Sequence, residues 1–280
     1  MSAPSRRLET FDIHSVRLAY QDAGEGAPFV FQHGLGGDHG QTFSLVRPRR
    51  AGRQLTLDCR GHGTSSLGDP ELLSFATFAM DLLALVDALG VRRVALGGIS
   101  MGAGVALACA CMRPPGLLID ALVLVRPAWG TGPMGQPACA AYQEIAQLLR
   151  SFPPAEAAER FKRSPVFCSV LREGPAAAQS LLGHFADPRA SEMIELYERL
   201  PLQAPIDAPS LAGLHIPTLI IGTDQDPIHP LDVARQLADQ LAPNASLAQV
   251  TSKTAHPQRH QRQTEQLVYD FLDARAKSAG

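Results

Sequence analysis

The sequence lacks the features that mark several classes of protein. None of its apolar runs approaches the roughly 18 residues that a membrane-spanning helix needs. Its formal net charge is −2, and its arginines, which greatly outnumber its lysines, are scattered, so no basic surface predicts binding to nucleic acid. The first residues, MSAPSRRLETFDIH, have no apolar core behind their basic pair and do not predict a targeting signal.

Cysteine is scarce and irregularly spaced. The five cysteines are odd in number and none lies in a C-x-x-C pair; they are Cys59, Cys109, Cys111, Cys139 and Cys168. This pattern favours reduced, small apolar side chains, and we therefore predict a cytoplasmic protein. With 45% hydrophobic and 19% charged residues, the chain has the ordinary balance of a globular protein with a large core.

What the sequence does contain is an alternation of strand and helix patterns. Short apolar segments predict the strands, namely LETFDI and VRLAYQDA, which would pair antiparallel, then APFVFQ, RQLTLD, RRVALGG, DALVLV, PTLIIGT and SLAQVTS. Helical spacing separates most of them, as in the segment that Ser74 opens and Gly90 closes. The later strands are apolar throughout, which is typical of a sheet covered on both faces. We therefore predict an α/β fold with a mostly parallel, doubly wound sheet.

The alternation stops between about Gly130 and Gly213, where the periodicity is helical and prolines interrupt it. We interpret residues 130–213 as a helical cap inserted into a core made of residues 1–129 and 214–280. Large apolar residues of this segment and of the strand end before it are expected mainly to pack the cap's own core, with a few lining a substrate pocket; they are Trp129, Met134, Phe152, Phe161, Phe167, Phe185, Met193 and Tyr197.

The same region contains a G-x-G-x-x-G sequence at residues 130–135. A dinucleotide site would need a helix opening inside the motif and an acidic residue at a strand end about 20 residues later. Pro133 interrupts the motif, and no such acid follows. We interpret it as the hinge into the cap, and the sequence predicts no cofactor.

The most informative stretch is GGISMGAG, residues 97–104, which contains a G-x-S-x-G motif between a predicted strand and a predicted helix. A serine on such a tight turn has a strained backbone that only small neighbours, here Gly98 and Gly102, tolerate. The turn lifts the hydroxyl of Ser100 above the sheet edge, where the helix N-terminus favours developing negative charge. Ser100 is therefore the predicted nucleophile; the alternative is a glycine-rich turn with an idle serine.

A serine nucleophile needs a base and an acid that orients the base. From about residue 8 to residue 272 the chain resembles the α/β-hydrolase family, whose order along the chain is nucleophile, acid, histidine. The resemblance implies that Asp226 is the acid, because DPIHP at 226–230 matches Asp, any residue, aliphatic, any residue, Pro. Asp224 is the alternative acid.

The resemblance also places the base after the last strand. It implies His256, in the loop before Pro257, a residue suited to the first position of the last helix. The alternative, His260, would lie one turn into that helix. Pro257 and the polar residues after it depart from the family's usual hydrophobic residue at this point, which puts the shape of the loop in question.

An HG motif after the third predicted strand, His33-Gly34, completes the resemblance. It implies that the backbone N–H groups of Leu35 and Met101 form an oxyanion hole. His33 and His62 are interpreted as structural.

Together these features predict a serine hydrolase that cleaves a carboxylic ester or a lactone through an acyl-enzyme, without a metal or organic cofactor. The expected partner is a small apolar ester or lactone, and a homodimer is left open. The serine argues against dehalogenases and epoxide hydrolases of this fold, which use an aspartate nucleophile. Carbon–carbon bond hydrolases, enol-lactonases and cofactor-free perhydrolases share the same triad, so they stay alternatives. An alternative from another functional class is a non-catalytic ligand-binding protein that kept the fold.

Overall fold

The structure is a computed structural model that describes residues 8–26, 28–49 and 52–278. Within these ranges eight strands form one sheet, in the order β1-β2-β4-β3-β5-β6-β7-β8. The strands are β1 (Leu8–Ile13), β2 (Val16–Ala23), β3 (Pro28–Gln32), β4 (Arg53–Leu57), β5 (Arg93–Ile99), β6 (Leu118–Val125), β7 (Thr218–Thr223) and β8 (Ala245–Val250). Strands β1 and β2 pair antiparallel, β2 pairs antiparallel with β4, and all other pairs are parallel. The predicted mostly parallel sheet is confirmed.

Helices cover both faces of this sheet. They are α1 (His39–Leu45), α2 (Phe75–Ala88), α3 (Met101–Met112), α4 (Ala138–Ser151), α5 (Pro154–Phe161), α6 (Pro165–Glu173), α7 (Pro175–Ala186), α8 (Ile194–Arg199), α9 (Ala208–Ala212), α10 (Leu231–Gln240) and α11 (Pro257–Ser278). As predicted, Ser74 caps α2, its hydroxyl accepting the N–H of Thr77 at 3.1 Å.

The central strands β3, β5, β6 and β7 are largely apolar because alternate residues enter two different cores. In β6, Leu122 and Leu124 belong to the larger core, to which α2 and α3 also contribute. Val123 and Val125 point to the opposite face and join a second core with residues of α11. A strand that is buried on both faces cannot show polar alternation.

Between β6 and β7 the chain forms only helices, α4 to α9, so this region brackets the segment predicted as the cap. Phe161 packs against Phe167 and Phe185, with ring centroids 5.3 Å apart in both pairs. These aromatic residues therefore pack the interior of the cap, as the spacing predicted.

Two further observations bear on the excluded classes. Across the described ranges, no helix has both the length and the apolar character that crossing a membrane requires. All five cysteines are free, and three of them, Cys59, Cys109 and Cys139, are buried.

Candidate active site

Ser100 occupies a sharp turn between the end of β5 and the start of α3. Its backbone has φ 56° and ψ −113°, a left-handed conformation that is rare for a residue other than glycine. A Cβ on Gly98 would lie 2.2 Å from the carbonyl carbon of Gly102, and one on Gly102 would lie 2.2 Å from the carbonyl oxygen of Gln32. The turn therefore requires glycine at both positions for steric reasons.

Two backbone N–H groups are candidates for the oxyanion hole, one next to Ser100 in the sequence and one next to the same cavity. Leu35, in the loop after β3, lines the same cavity as Ser100, and Met101 is the first residue of α3. Neither N–H has a hydrogen-bond acceptor within the described part of the chain. Both amides are therefore available to an oxygen of a ligand, as an oxyanion hole requires.

The loop that carries Leu35 is fixed by its neighbours. The Gly34 N–H donates to the side-chain oxygen of Gln41 at 2.7 Å. His33 accepts the N–H of Cys59 on Nε2 at 3.0 Å, so its Nδ1 carries the proton and donates to the Gly34 carbonyl at 2.8 Å. Burial lowers the pKa of His33, which keeps the ring neutral. The ring therefore braces the loop.

Ser100 opens into a cavity of about 230 Å³ between the carboxyl edge of the sheet and the cap. The core contributes charged and polar residues to its lining, including Arg126, Asp226, His229 and Lys253. The cap contributes Tyr142 from α4 and six residues of α7: Ala176, Ala177, Ser180, Leu181, Gly183 and His184. None of the eight large apolar residues singled out in the sequence lines this cavity, so the expectation that a few of them do is wrong.

Asp226 lies in the loop after β7 with only 7% of its side chain exposed. Its Oδ2 accepts a hydrogen bond from Nδ1 of His229 at 2.9 Å and one from Nη1 of Arg126 at 3.1 Å. Burial raises the pKa of Asp226, but the charges and hydrogen bonds of His229 and Arg126 outweigh it, so the pKa falls well below its usual range. Asp226 is therefore ionised, whereas Asp224 is exposed and does not line the cavity.

The structure does not bring His256 to this cavity. His256 is the exposed residue before α11; its imidazole forms no hydrogen bond with any described residue and does not line the cavity. His260 is buried, with Nδ1 2.9 Å from the carbonyl oxygen of Thr251, and does not line the cavity either. Ser100 and Asp226 thus meet at one cavity without either predicted histidine.

The shape of the loop after β8 explains this arrangement. The hydroxyl of Ser252 accepts the N–H groups of Thr254 at 3.1 Å and Ala255 at 3.4 Å, which folds the loop into a turn. Lys253 and Thr254 then face the cavity, and His256 faces solvent. The departure from the family's pattern around residue 257 was the signal in the sequence that this loop is unusual.

Among the residues of the cavity that sequence reasoning missed are two cations, Arg126 and Lys253, and two imidazoles, His184 and His229. His229 was visible, because it lies inside the very motif that identified Asp226. His184 is buried in α7, its Nδ1 lies 3.0 Å from the hydroxyl of Tyr197, and burial lowers its pKa to about 4. No local pattern marks the other two.

Within the described residues, no group of three or more His, Cys, Asp or Glu side chains is arranged to hold a metal ion. The arrangement that is present combines a strained serine, two unpaired amides and a buried carboxylate that holds an imidazole. These are the elements that nucleophilic acyl transfer requires.

The fold and this site define an α/β-hydrolase. The sequence profile of the alpha/beta hydrolase family matches residues 29–268, and the chain belongs to that family. Among curated proteins it is similar to the non-heme chloroperoxidase CPO-A1 of Kitasatospora aureofaciens, with 30% identity over 248 residues, which cover 83% of this chain and 86% of that protein.

Two solved structures show the likeness of the fold. A thermophilic esterase from Thermogutta terrifontis superposes with a TM-score of 0.70 and 22% identity, covering 95% of this chain and 99% of the esterase. The enol-lactonase from Burkholderia xenovorans LB400 also has a TM-score of 0.70 and 22% identity, covering 95% of this chain and all of the lactonase. At this identity the superpositions establish the fold alone.

Proposed function

We propose that the protein is a serine hydrolase that cleaves a carboxylic ester or a lactone, with Ser100 as the nucleophile. The observation that carries the proposal is the strained turn that exposes Ser100 to a cavity in which the ionised Asp226 holds an imidazole. A strained nucleophile beside a carboxylate–imidazole pair is the arrangement that activates a serine hydroxyl. Membership of a hydrolase family agrees with this chemistry.

The base in this proposal is His229. Its Nδ1 lies 2.9 Å from Asp226, and only 14% of its side chain is exposed. Because Nδ1 carries the proton that Asp226 accepts, Nε2 of the neutral ring is free to accept another proton. His229 also lines the cavity into which Ser100 opens. Asp226 would stabilise the imidazolium that forms, as the acid of a triad does.

The reaction then follows the acyl-enzyme route. Oγ of Ser100 bonds to the carbonyl carbon while its proton passes to Nε2 of His229, and the carbonyl oxygen becomes an anion held by the N–H groups of Leu35 and Met101. The bond to the leaving oxygen breaks, and the imidazolium returns the proton to give the alcohol. Water then attacks the acyl carbon and gives a proton to Nε2 of His229. The bond to Oγ breaks, and the imidazolium returns the proton to Ser100 as the acid is released.

His256 is the base that the chain order of the family favours, and it stays the alternative. It would require the turn at Ser252 to open, because the imidazole is exposed and outside the cavity. The polar lining also modifies the expected substrate: Arg126, Lys253 and Asp226 favour a small molecule with a polar or charged group over a purely apolar one.

A second reaction has support from one comparison. The similarity to a protein named as a non-heme chloroperoxidase favours perhydrolysis, in which hydrogen peroxide takes the place of water. The same acyl-enzyme of Ser100 would serve both reactions, so the two are distinguished by the acceptor. Peracid formation from an ester and hydrogen peroxide, compared with hydrolysis of that ester, measures the partition directly.

The test of the nucleophile uses two readouts on purified protein. A fluorophosphonate should label the wild type with one equivalent at Ser100 and should not label Ser100→Ala. A panel of short p-nitrophenyl esters and simple lactones should be turned over by the wild type and not by Ser100→Ala. Ser169→Ala, at a half-buried position outside the cavity, is the matched control. A folded wild type that refuses the label and leaves every ester intact would favour a binding protein instead.

A further inference from the structure

Arg126 has an unusual place at the floor of the cavity. It follows β6 directly, has φ 44°, and its N–H donates to the carbonyl of Ile221 at 2.7 Å. A left-handed backbone at a residue other than glycine costs of the order of 1 kcal/mol or more and persists where the surroundings impose it. The side chain is only 11% exposed and lines the cavity. The fold thus holds a guanidinium beside the candidate nucleophile.

That guanidinium is only partly satisfied. Its Nη1 donates to Asp226 at 3.1 Å, but its Nε is buried and has no hydrogen-bond partner in the described ranges. A buried donor without an acceptor is unfavourable, and native proteins rarely leave one unless a ligand or solvent completes it. Asp226 has little capacity left to supply that acceptor, because its Oδ2 already accepts hydrogen bonds from both His229 and Nη1 of Arg126.

Lys253 adds a second positive charge to the same cavity. It is half-buried, lines the cavity, and forms no ion pair with any carboxylate that the structure describes. Burial lowers the pKa of Lys253, and the positive charge of Arg126 lowers it further, while Asp226 partly opposes both. The ammonium group would gain free energy if an anion entered the cavity.

The charges of the lining do not balance. Arg126 and Lys253 are cations, and Asp226 is the sole carboxylate among the residues that line this cavity. With His184 neutral, the charges of Arg126, Lys253 and Asp226 leave one positive charge without compensation. The two amides of the candidate oxyanion hole add partial positive charge on the side of Ser100.

We propose that this cavity recognises a substrate that carries a carboxylate in addition to its scissile ester or lactone bond. The carboxylate would be held by the ammonium of Lys253, with the positive charge of Arg126 in the same cavity adding to the attraction, while the scissile carbonyl faces Ser100. This inference rests on the proposed function for the reaction, but the anion site itself is independent of turnover.

A carboxylate fits better than a phosphate ester for two reasons. The uncompensated charge is a single one, which matches a monoanion, whereas a phosphate group at neutral pH carries about 1.5 to 2 negative charges. The cavity, at about 230 Å³, is also smaller than the roughly 300–1,000 Å³ of typical ligand pockets. A short-chain half-ester of a dicarboxylic acid satisfies both limits.

The test compares two esters that differ only in their terminal group, monoethyl glutarate with a carboxylate and ethyl pentanoate with a methyl, with acid release followed in a pH-stat. We expect the wild type to prefer monoethyl glutarate by about tenfold or more in kcat/KM, the order of one charge-assisted contact in a partly buried site. In Lys253→Met the ratio of the two kcat/KM values should fall to near one, and Lys253→Arg should restore much of it. Lys162→Met, at an exposed position in the cap, should leave the ratio unchanged.

A binding measurement separates this inference from the proposed reaction. Calorimetry on Ser100→Ala should show binding of monoethyl glutarate that Lys253→Met or, if that variant does not fold, Lys253→Gln abolishes. Binding of this kind without turnover by the wild type would overturn the proposed reaction and keep the anion site. A wild type that turns over both esters equally, or a ratio that Lys253→Met leaves unchanged, would overturn the anion site. Inorganic phosphate binding more tightly than monoethyl glutarate would also overturn the choice of a carboxylate.

Discussion

The turn after β5 and the loop after β8 leave the same edge of the same sheet, yet they behave differently. At the first, Ser100 stands where the sequence predicted, in the strained conformation that the motif implies. At the second, His256 is exposed, and Lys253 faces the cavity in its place. Both segments connect a parallel strand to a helix, so topology alone does not account for the difference.

The difference lies in what fixes each backbone. Around Ser100 the backbone packs so closely that a Cβ on Gly98 or Gly102 would lie 2.2 Å from another backbone atom, which strongly restricts the chain between strand and helix. The loop after β8 is held by hydrogen bonds of two backbone N–H groups to the hydroxyl of Ser252, a type of contact that favours a turn only weakly. A sequence motif therefore predicts a sterically fixed turn well, and it predicts a loop that is held only by side-chain hydrogen bonds less well.

The largest expected effect concerns the imidazole. Replacement His229→Gln should lower kcat/KM for a short ester by about 10³-fold, because the serine would lose its general base while Asp226 keeps a polar neighbour. Steady-state kinetics on the folded variant measure this loss. Near wild-type activity of His229→Gln would remove His229 from the mechanism.

The steric claim for the first turn predicts a large effect on stability. In Gly102→Ala the new Cβ would lie 2.2 Å from the carbonyl oxygen of Gln32, and we expect the free energy of unfolding to fall by more than about 3 kcal/mol. Gly132→Ala is the matched control, because nothing lies within 4 Å of its Cβ. Urea unfolding of both variants compares them; equal stabilities would show that the turn has room to adjust.

The free energy of unfolding should depend on pH through His184, which lies on the cap side of the cavity. His184 is buried with a pKa of about 4 against 6.5 for the free side chain, so the unfolded chain binds a proton that the folded chain refuses. Its contribution is present above pH 6.5 and is lost as the pH falls toward 4. Between pH 7 and pH 4.5 we expect the wild type to lose about 2 kcal/mol more stability than His184→Gln. Urea unfolding of both proteins at the two pH values measures these losses. An equal loss of unfolding free energy in the wild type and in His184→Gln would contradict the prediction.

The smallest expected effect is the most direct test of the second loop. Because His256 is exposed and outside the cavity, His256→Gln should keep ester hydrolysis within about twofold of the wild type, the size of an ordinary surface change. A loss of several hundredfold would show that the loop closes over the cavity during turnover and that the chain order of the family holds.

Part of this site could be predicted from the sequence, because short sequence motifs fix the backbone at those positions. Asp226 lines the cavity and Asp224 is exposed, and the assignment of Asp226 as the acid stays a prediction. The motif that identified Asp226 is a short turn with two prolines, which restrict the backbone strongly. Arg126 could not be found in this way, because its pairing with Asp226 joins residues a hundred positions apart.

The amino-acid sequence alone determined the mostly parallel sheet, the helical character of the segment between β6 and β7, and the serine turn. Each of these follows from periodicity or from backbone sterics within a few residues. Only the tertiary structure decided that Asp226 holds the neighbouring His229 and not His256, and which cations surround it. The cations come from the ends of β6 and β8 and the carboxylate from the end of β7, and contacts between such distant segments leave no pattern in the local order of residues.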